Sequence, residues 1–276
     1  MAISQIGQSA NAAAASGDIT VTPPTTIDND IMILAVSSHD NVAITLPAGW
    51  TIYQEANNGT GLRASLAWKR CVGVEGAFTV THTAGDGIVG NVSVYRGCTT
   101  ESDVIDASIL TSNASSSTCT ANSITTSVSG AMIVFTMHDS DNGASSAQAA
   151  TDPATFTERT DNASTLGLDE AVSIADALQG AVGATGNATG TFSLGPDVNS
   201  GGLTALKPLP AYLILAPSMG HYPQPYQARS VGPKMRQSEI ILLQVIAPVT
   251  NPTTYVAVMG YWPQPYLTKW ETVDYF

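Results

Sequence analysis

Two continuous apolar runs lie about one hundred residues apart in the chain. They are Ile31–Val36 and Met132–Phe135, and such runs are typical of central strands buried on both faces. Other segments, clearest at Ala77–Thr83 and Thr189–Leu194, alternate apolar and hydroxyl residues, which predicts strands with one buried and one solvated face. Short strands at regular spacing, separated by Gly, Asn and Asp turns, predict an all-β antiparallel sandwich of the jelly-roll type.

The first 207 residues contain two similar halves, at about residues 25–100 and 125–207. Residues 30–37 resemble residues 130–137, and both segments are followed by His and Asp. Later segments correspond in order: Pro47–Tyr53 with Pro153–Arg159, Leu62–Cys71 with Leu166–Ala177, Gly76–Thr83 with Gly190–Leu194, and Gly90–Tyr95 with Gly201–Leu206. About four or five predicted strands per half are too few to cover both faces of a core. We therefore favour one jelly roll built from two halves over two separate small sandwiches.

The remaining segments of this region are predicted to lie outside the strands. Residues 1–24 are small and polar and predict an extended or flexible arm. Residues 101–106 are typical of a turn or short helix, and residues 113–120 of a Ser/Thr-rich loop. The small-residue segments 142–152 and 176–187 are the equivalent loops of the second half.

Composition changes at about residue 207. Charged residues make up 12% of the chain and its net charge is −12, which argues against nucleic acid as a partner. Residues 208–276 hold four basic and three acidic residues, so residues 1–207 carry −13, and ten of the fifteen prolines follow Lys207. We therefore place a segment boundary there.

The C-terminal segment 208–276 contains two copies of an unusual sequence motif. Residues 219–226 read MGHYPQPY and residues 259–266 read MGYWPQPY. Pro-x-Pro neither continues a helix nor donates to a sheet ladder, so each copy is expected to be a rigid, extended element with aromatic anchors. The predicted assembly interface comprises Met219, Tyr222, Pro223, Pro225, Tyr226, Met259, Tyr261, Trp262, Pro263, Pro265, Tyr266 and Trp270. We expect this interface to pack on a neighbouring subunit. The alternatives are packing on the chain's own sandwich and recognition by a foreign domain.

The apolar strand predicted at 239–247, between the two copies, would aggregate unless covered, which favours burial in an oligomer with a trimer preferred.

The first eighteen residues lack the basic start and apolar core of a signal peptide. No apolar run reaches the length of a membrane helix. The cysteines Cys71, Cys98 and Cys119 have no framework spacing and are expected to be buried free thiols, with one disulfide as the alternative.

No catalytic or cofactor motif is evident. The chain lacks a nucleophile elbow and the lysine of a phosphate loop. Polar residues follow two equivalent strands, at His39-Asp40 and at 138–141. We interpret them as polar loop tips, and the alternative is a metal or acid–base site. Asp139, Asp141 and Asn142 are a weak candidate for Ca²⁺. Glycosidases use a pair of carboxylates, but the sequence spacing of the available acids does not single out a pair. These acids are Glu55, Glu75, Asp169, Glu170 and Asp176. We expect a non-enzymatic protein without a cofactor or metal.

Four segments occur in an order that resembles a known kind of module. They are Gly49-Trp50-Thr51, the stretch RASLAWKR at 63–70, the stretch AFTVT at 77–81, and Tyr95-Arg96-Gly97. The series resembles β-sandwich modules of tailed-phage virion proteins and of environmental bacterial surface proteins. The resemblance covers about residues 25–207 and implies packing roles for Trp50, Trp68, Tyr95 and Arg96.

These observations lead to two expectations about function. The first is a structural protein of a phage virion, specifically a capsid decoration or cement protein. Such a protein would form a homo-oligomer, bind virion proteins such as a major capsid protein, and reside in the virion. The second is a tail fibre or adhesin module that recognises host-surface glycan, with Trp50, Tyr53 or Trp68 as stacking platforms.

Overall fold

The computed structural model describes residues 2–83 and 85–210. Within those ranges the chain forms sixteen strands with connecting turns, and no helix. The strands are β1 (Ser4–Gln8), β2 (Ala12–Ala14), β3 (Ile19–Val21), β4 (Ile31–Ser38), β5 (Thr51–Asn57), β6 (Arg63–Arg70), β7 (Phe78–Val80), β8 (Ile88–Arg96), β9 (Ile105–Ser116), β10 (Thr118–Ala121), β11 (Ala131–Asp139), β12 (Ser145–Ala149), β13 (Thr157–Ser164), β14 (Glu170–Gln179), β15 (Ala188–Phe192) and β16 (Asp197–Leu206). The predicted assembly interface lies outside the described residues.

Two large antiparallel sheets have the same strand order. The sheet of the first half (residues 2–100) runs β1-β8-β4-β6-β5, and β2 extends the row of β1 along β8. The sheet of the second half (residues 101–210) runs β9-β16-β11-β14-β13. Every position in one sheet therefore has a counterpart in the other. The repeated segments predict this for β4, β5, β6 and β8 and their partners, but not for β1 and β9, which lie outside the repeat.

The sandwich has four layers and three apolar cores. The two large sheets pack against each other across a central core that includes Ile33, Leu66, Val134 and Ile174. The β3–β7 pair covers the outer face of the first large sheet, and a smaller sheet of order β10-β15-β12 covers the outer face of the second. Each half is thus a small sandwich with its own core, and the halves share a third.

The central strands explain why the two apolar runs are uninterrupted. Ile31, Ile33 and Ala35 of β4 point into the central core, whereas Met32 and Leu34 point into the outer core of the first half. Because successive side chains of a strand face opposite sides, a strand with a core on each face must be apolar at every position. The structure confirms that both runs are central strands.

The prediction of an all-β antiparallel sandwich with two similar halves is confirmed. The expectation that one half is too small to have its own core is wrong, because short strands such as β3, β7, β10 and β12 form a second layer in each half. The sequence match of residues 30–37 to 130–137 is also displaced by one residue. In the sheets, Ile31 pairs with Tyr95 and Met132 pairs with Leu206, and all four side chains belong to the central core.

Several segments predicted to lie outside the strands contribute to the sheets. The expected loop at 142–152 contains β12, that at 176–187 begins with the last four residues of β14, and the expected turn at 101–106 overlaps the start of β9. Residues 4–21 of the expected arm form β1, β2 and β3, because Ile3, Ala12 and Ile19 are buried. The expected loop at 113–120 falls in β9 and β10, which pair with β16 and β15. Thr is favoured in strands, and hydroxyl side chains are tolerated on an edge strand such as β9.

Candidate functional site: the acidic end of the sandwich

The strands β4 and β11 end at the same edge of the central core, where polar side chains of the two halves meet. The Ser37 hydroxyl lies 3.0 Å from Nδ1 of His138 and donates to the carbonyl of Ala171 at 2.9 Å. Since the single hydroxyl proton goes to that carbonyl, the ring nitrogen of His138 is the donor to Ser37 Oγ. Burial lowers the pKa of His138 to about 3, so this imidazole is neutral and structural.

A carboxyl group is buried beside this pair. Glu170, the first residue of β14, is 0% exposed, and its Oε1 lies 3.3 Å from Nδ1 of His39 in the first half. The same nitrogen lies 3.2 Å from the carbonyl of Asp169, which accepts its proton. Burial, followed by the nearby charges of Asp139 and Asp40, raises the pKa of Glu170 well above its usual range.

A second carboxyl cluster lies next to it in the second half. Asp139 is 1% exposed, and neither of its oxygens has a hydrogen-bond partner among the described residues. Burial, together with the charges of Asp197 and Asp141, raises the pKa of Asp139 to about 8. The pKa of Asp197 is raised as well, by burial and by Asp141. We call the set His39, Asp40, Asp139, Asp141, Glu170 and Asp197 the acidic end.

Few cations are available to balance these acids. Residues 2–210 contain six Lys and Arg side chains. Arg63 reaches this edge, where it donates to the carbonyl of Asn41 at 3.2 Å, but its guanidinium also pairs with Glu55 at 3.0 Å. The others pair elsewhere in the described fold, as in Lys69–Glu75, Arg96–Asp30 and Arg159–Asp176. The buried carboxyl groups Asp139 and Glu170 are therefore not paired with a Lys or Arg of the described residues, and burial raises the pKa of both.

Asp40 is the exception, because it is held as a charged group. Its carboxylate accepts hydrogen bonds from the backbone amides of Val42 at 2.7 Å and Asp86 at 2.8 Å. It also lies 3.1 Å from Nε2 of His82, a fully buried imidazole. These hydrogen bonds outweigh partial burial, which alone would raise the pKa, and lower the pKa of Asp40.

The other acids considered as glycosidase candidates form structural ion pairs. Glu55, Glu75 and Asp176 lie 3.0, 2.6 and 2.8 Å from Arg63, Lys69 and Arg159. The Arg159–Asp176 contact is bidentate, with a second distance of 2.9 Å. Within residues 2–83 and 85–210, no group of three or more His, Cys, Asp or Glu side chains is placed to hold a metal ion. The Ca²⁺ candidate finds no support there, since Asp141 instead accepts from the amide of Asn142 at 2.7 Å.

The aromatic residues carried by the resemblance are framework residues. Tyr95 is fully buried in the central core, and Trp68 packs against that core. The Tyr53 hydroxyl lies 2.8 Å from the hydroxyl of Thr204, which ties β5 to the second half. Trp50 packs against Phe78 with ring centroids 4.7 Å apart. These contacts leave Tyr53 and Trp68 poorly placed as sugar-stacking platforms.

Arg96 and Gly97 complete the framework of the first half. The Arg96 guanidinium makes a bidentate contact of 2.8 and 2.7 Å with Asp30, which is buried just before β4. Gly97 has φ +90°, and a Cβ at this position would lie 2.7 Å from the carbonyl oxygen of Ala2. A non-glycine residue would therefore be strained and would displace the chain before β1.

The three cysteines are buried free thiols, as the sequence predicts. Burial raises the pKa of Cys71 to about 11 and that of Cys98 to about 12. Because the thiolate is the reactive form, we expect no reaction with a thiol reagent at pH 8 in the folded protein and three reactive thiols after unfolding. Titration with an aromatic disulfide in buffer and in guanidinium measures both counts, and rapid labelling of the native protein would contradict this assignment.

Comparisons with known proteins identify no relative: no protein-family model, no curated protein and no solved structure matches the chain. In residues 2–83 and 85–210, no helix is long and apolar enough to cross a membrane. The sequence did point to His39, Asp40, Asp139 and Asp141 as residues of related strand ends. It missed Asp197, which reaches the site because β16 pairs with β11, and the fully buried His82, which contacts Asp40 of the site from a distant segment.

Proposed function

We propose that the protein is a non-enzymatic structural protein of a tailed-phage virion, acting as a capsid decoration or cement protein. The observation that carries the proposal is the division of the chain into a self-contained sandwich and a segment of contrasting composition. The three cores are formed by residues between Ile3 and Leu206. The following segment holds most of the prolines, both MG-x-x-PQPY copies and almost no net charge.

The sandwich offers little that an enzyme needs. An open groove of about 530 Å³ lies beside β7, and its lining consists of uncharged residues: Thr45, Leu46, Pro47, Ala77, Phe78, Thr79 and Thr81. Catalytic sites usually combine a concave pocket with convergent titratable groups. Of the titratable groups of the acidic end, Asp139 and Glu170 are buried at the junction of the two halves and the others are half-buried, which suits a structural role.

The two ends of the sandwich also differ in character. The end opposite the acidic end carries the two most exposed large apolar residues of the described fold, with Val72 85% and Val74 74% exposed, whereas Leu166 and Leu168 near the acidic end are about half exposed. The chain leaves the sandwich at that end, where the amide of Leu209 donates to the carbonyl of Gly97 at 2.8 Å. Exposed apolar residues of this kind mark interaction sites. In the proposed function, this end meets other virion proteins and the acidic end faces solvent.

Rigid proline-containing segments lose little conformational entropy on docking, which favours tight assembly. We expect the full chain to form a defined oligomer, a trimer being preferred, and residues 1–210 to be monomeric. Light scattering of both proteins at equal concentration measures this difference. As a control within the full chain, Tyr222→Ala combined with Tyr261→Ala should weaken assembly without changing the circular dichroism of the sandwich. The same number of subunits in the full-chain and truncated particles would overturn the proposal.

A further inference from the structure

At the turn between β13 and β14, the backbone of the second half lies close against the backbone of the first. A Cβ added at Gly87, just before β8, would lie 2.1 Å from the carbonyl oxygen of Leu168. A Cβ added at Gly167, where φ is +73°, would lie 2.4 Å from the carbonyl oxygen of Ala15. Both contacts join backbone of one half to backbone of the other, so small opening movements of this turn would break them together.

Glu170 follows this turn directly and forms the last pair of the β13–β14 hairpin with Ser164. Its carboxyl group is fully buried, and within residues 2–83 and 85–210 its one basic partner at ion-pair distance is His39 of the first half, at 3.3 Å. The Oε atoms of Glu170 have no hydrogen-bond partner among the described residues. A buried carboxylate in such surroundings is costly, whereas the protonated group is tolerated.

The neighbouring groups make a charge on Glu170 more costly still. The end of β4 contributes His39 and Asp40, and the end of β11 contributes the neutral His138 and Asp139. Asp169 belongs to the turn itself, and the segment before β8 contributes His82 and Asp86, both of which contact Asp40. In total the acids Asp40, Asp86, Asp139 and Asp169 outnumber the histidines His39 and His82, so the local potential opposes a further negative charge.

We propose that the β13–β14 turn is a pH-dependent latch between the two halves, closed while Glu170 is neutral and released when the pH rises far enough to ionise it. The raised pKa of Glu170 is consistent with closure at neutral pH. Release would separate the turn from Gly87 and Ala15 and admit water to the edge of the central core. The latch is a property of the sandwich and does not depend on the proposed role of the protein in a virion.

Hydrogen exchange followed by mass spectrometry tests the latch in the full-length protein between pH 6 and pH 9.5. After correction for the intrinsic exchange rate, protection of residues 165–172 is expected to fall at least tenfold as the pH rises. The equivalent β5–β6 turn at residues 58–62, which contains no carboxyl group, serves as the internal control and should keep its protection. Unchanged protection at residues 165–172 across this range would overturn the proposal.

Two variants identify the group responsible. Glu170→Gln keeps the shape and neutrality of the closed state, so protection of residues 165–172 should no longer depend on pH. Should this variant fold poorly, His39→Lys supplies a second test, because a permanent cation beside Glu170 stabilises its carboxylate within the closed turn and should reduce the loss of protection at high pH. A decline in Glu170→Gln equal to that of the wild type would show that another group, such as Asp139, controls the turn, and would overturn the assignment.

Discussion

Replacement of Gly201 by alanine is expected to lower the free energy of unfolding by about 1–3 kcal/mol, the usual range for overpacking a well-packed interior. Gly201 lies in β16 with its missing side chain directed at β10. A Cβ there would lie 2.6 Å from the carbonyl carbon and oxygen of Thr120 and 2.8 Å from the amide nitrogen of Ala121. These are backbone atoms, so no side-chain rotation relieves the clash, and the small sheet must move away from the large one.

Gly180 provides a matched control for this substitution. It follows β14, its φ is outside the left-handed region, and a Cβ there would have no neighbour within 4 Å. Gly180→Ala should leave stability unchanged or raise it slightly by restricting the unfolded chain. Urea unfolding of the two variants measures both effects. Equal stability of Gly201→Ala and the wild type would mean that the close approach of β16 to β10 is not required.

Replacement of Asp139 by asparagine should stabilise the protein at alkaline pH. The pKa of Asp139 is raised from 3.8 to about 8 in the folded state. The folded protein therefore binds more protons than the unfolded chain between these values, and the free energy of unfolding falls as the pH rises through this window. One such group contributes a slope of up to about 1.4 kcal/mol per pH unit. Asparagine cannot ionise and should remove this slope.

The measurement is the free energy of unfolding by urea at each pH from 5 to 9. The wild type should become less stable over this range, and the advantage of Asp139→Asn should increase with pH. Asp103→Asn makes the same change in charge at an exposed carboxylate, whose side chain is 75% accessible. It should leave the pH profile nearly parallel to that of the wild type. A wild-type profile without a decline between pH 5 and 8 would contradict a buried, protonated Asp139.

Strand positions could be predicted from the sequence because each buried strand has a local pattern. The runs at Ile31–Val36 and Met132–Phe135 are apolar at each position, and both are central strands with a core on each side. The four-layer arrangement could not be predicted in the same way. Short strands such as β3 and β12 have too few residues for a clear period, so their covering role emerges only from the tertiary structure.

Only part of the acidic end could be predicted, because local sequence patterns reveal some of its residues and not others. His39, Asp40, Asp139 and Asp141 stand out because they directly follow apolar runs in the sequence. Glu170 appeared only as one of several candidate acids, since nothing in its local sequence distinguishes it from Glu55 or Glu75. The difference is set by partners from distant segments, because Glu55 and Glu75 meet Arg63 and Lys69 whereas Glu170 meets a histidine in a buried environment.

The shared strand order of the two halves is what fusion of two copies of a half-length gene would produce. A single ancestral copy would have left one face of its large sheet bare, so two copies would have associated through the surface that is now the central core. Ser37 and His138 occupy equivalent positions when Ile31 is matched to Met132, yet they now contact each other as unlike residues. Once the copies were joined covalently, mutations could accumulate on one side of this former dimer interface alone, and an asymmetric cluster of acids could evolve there.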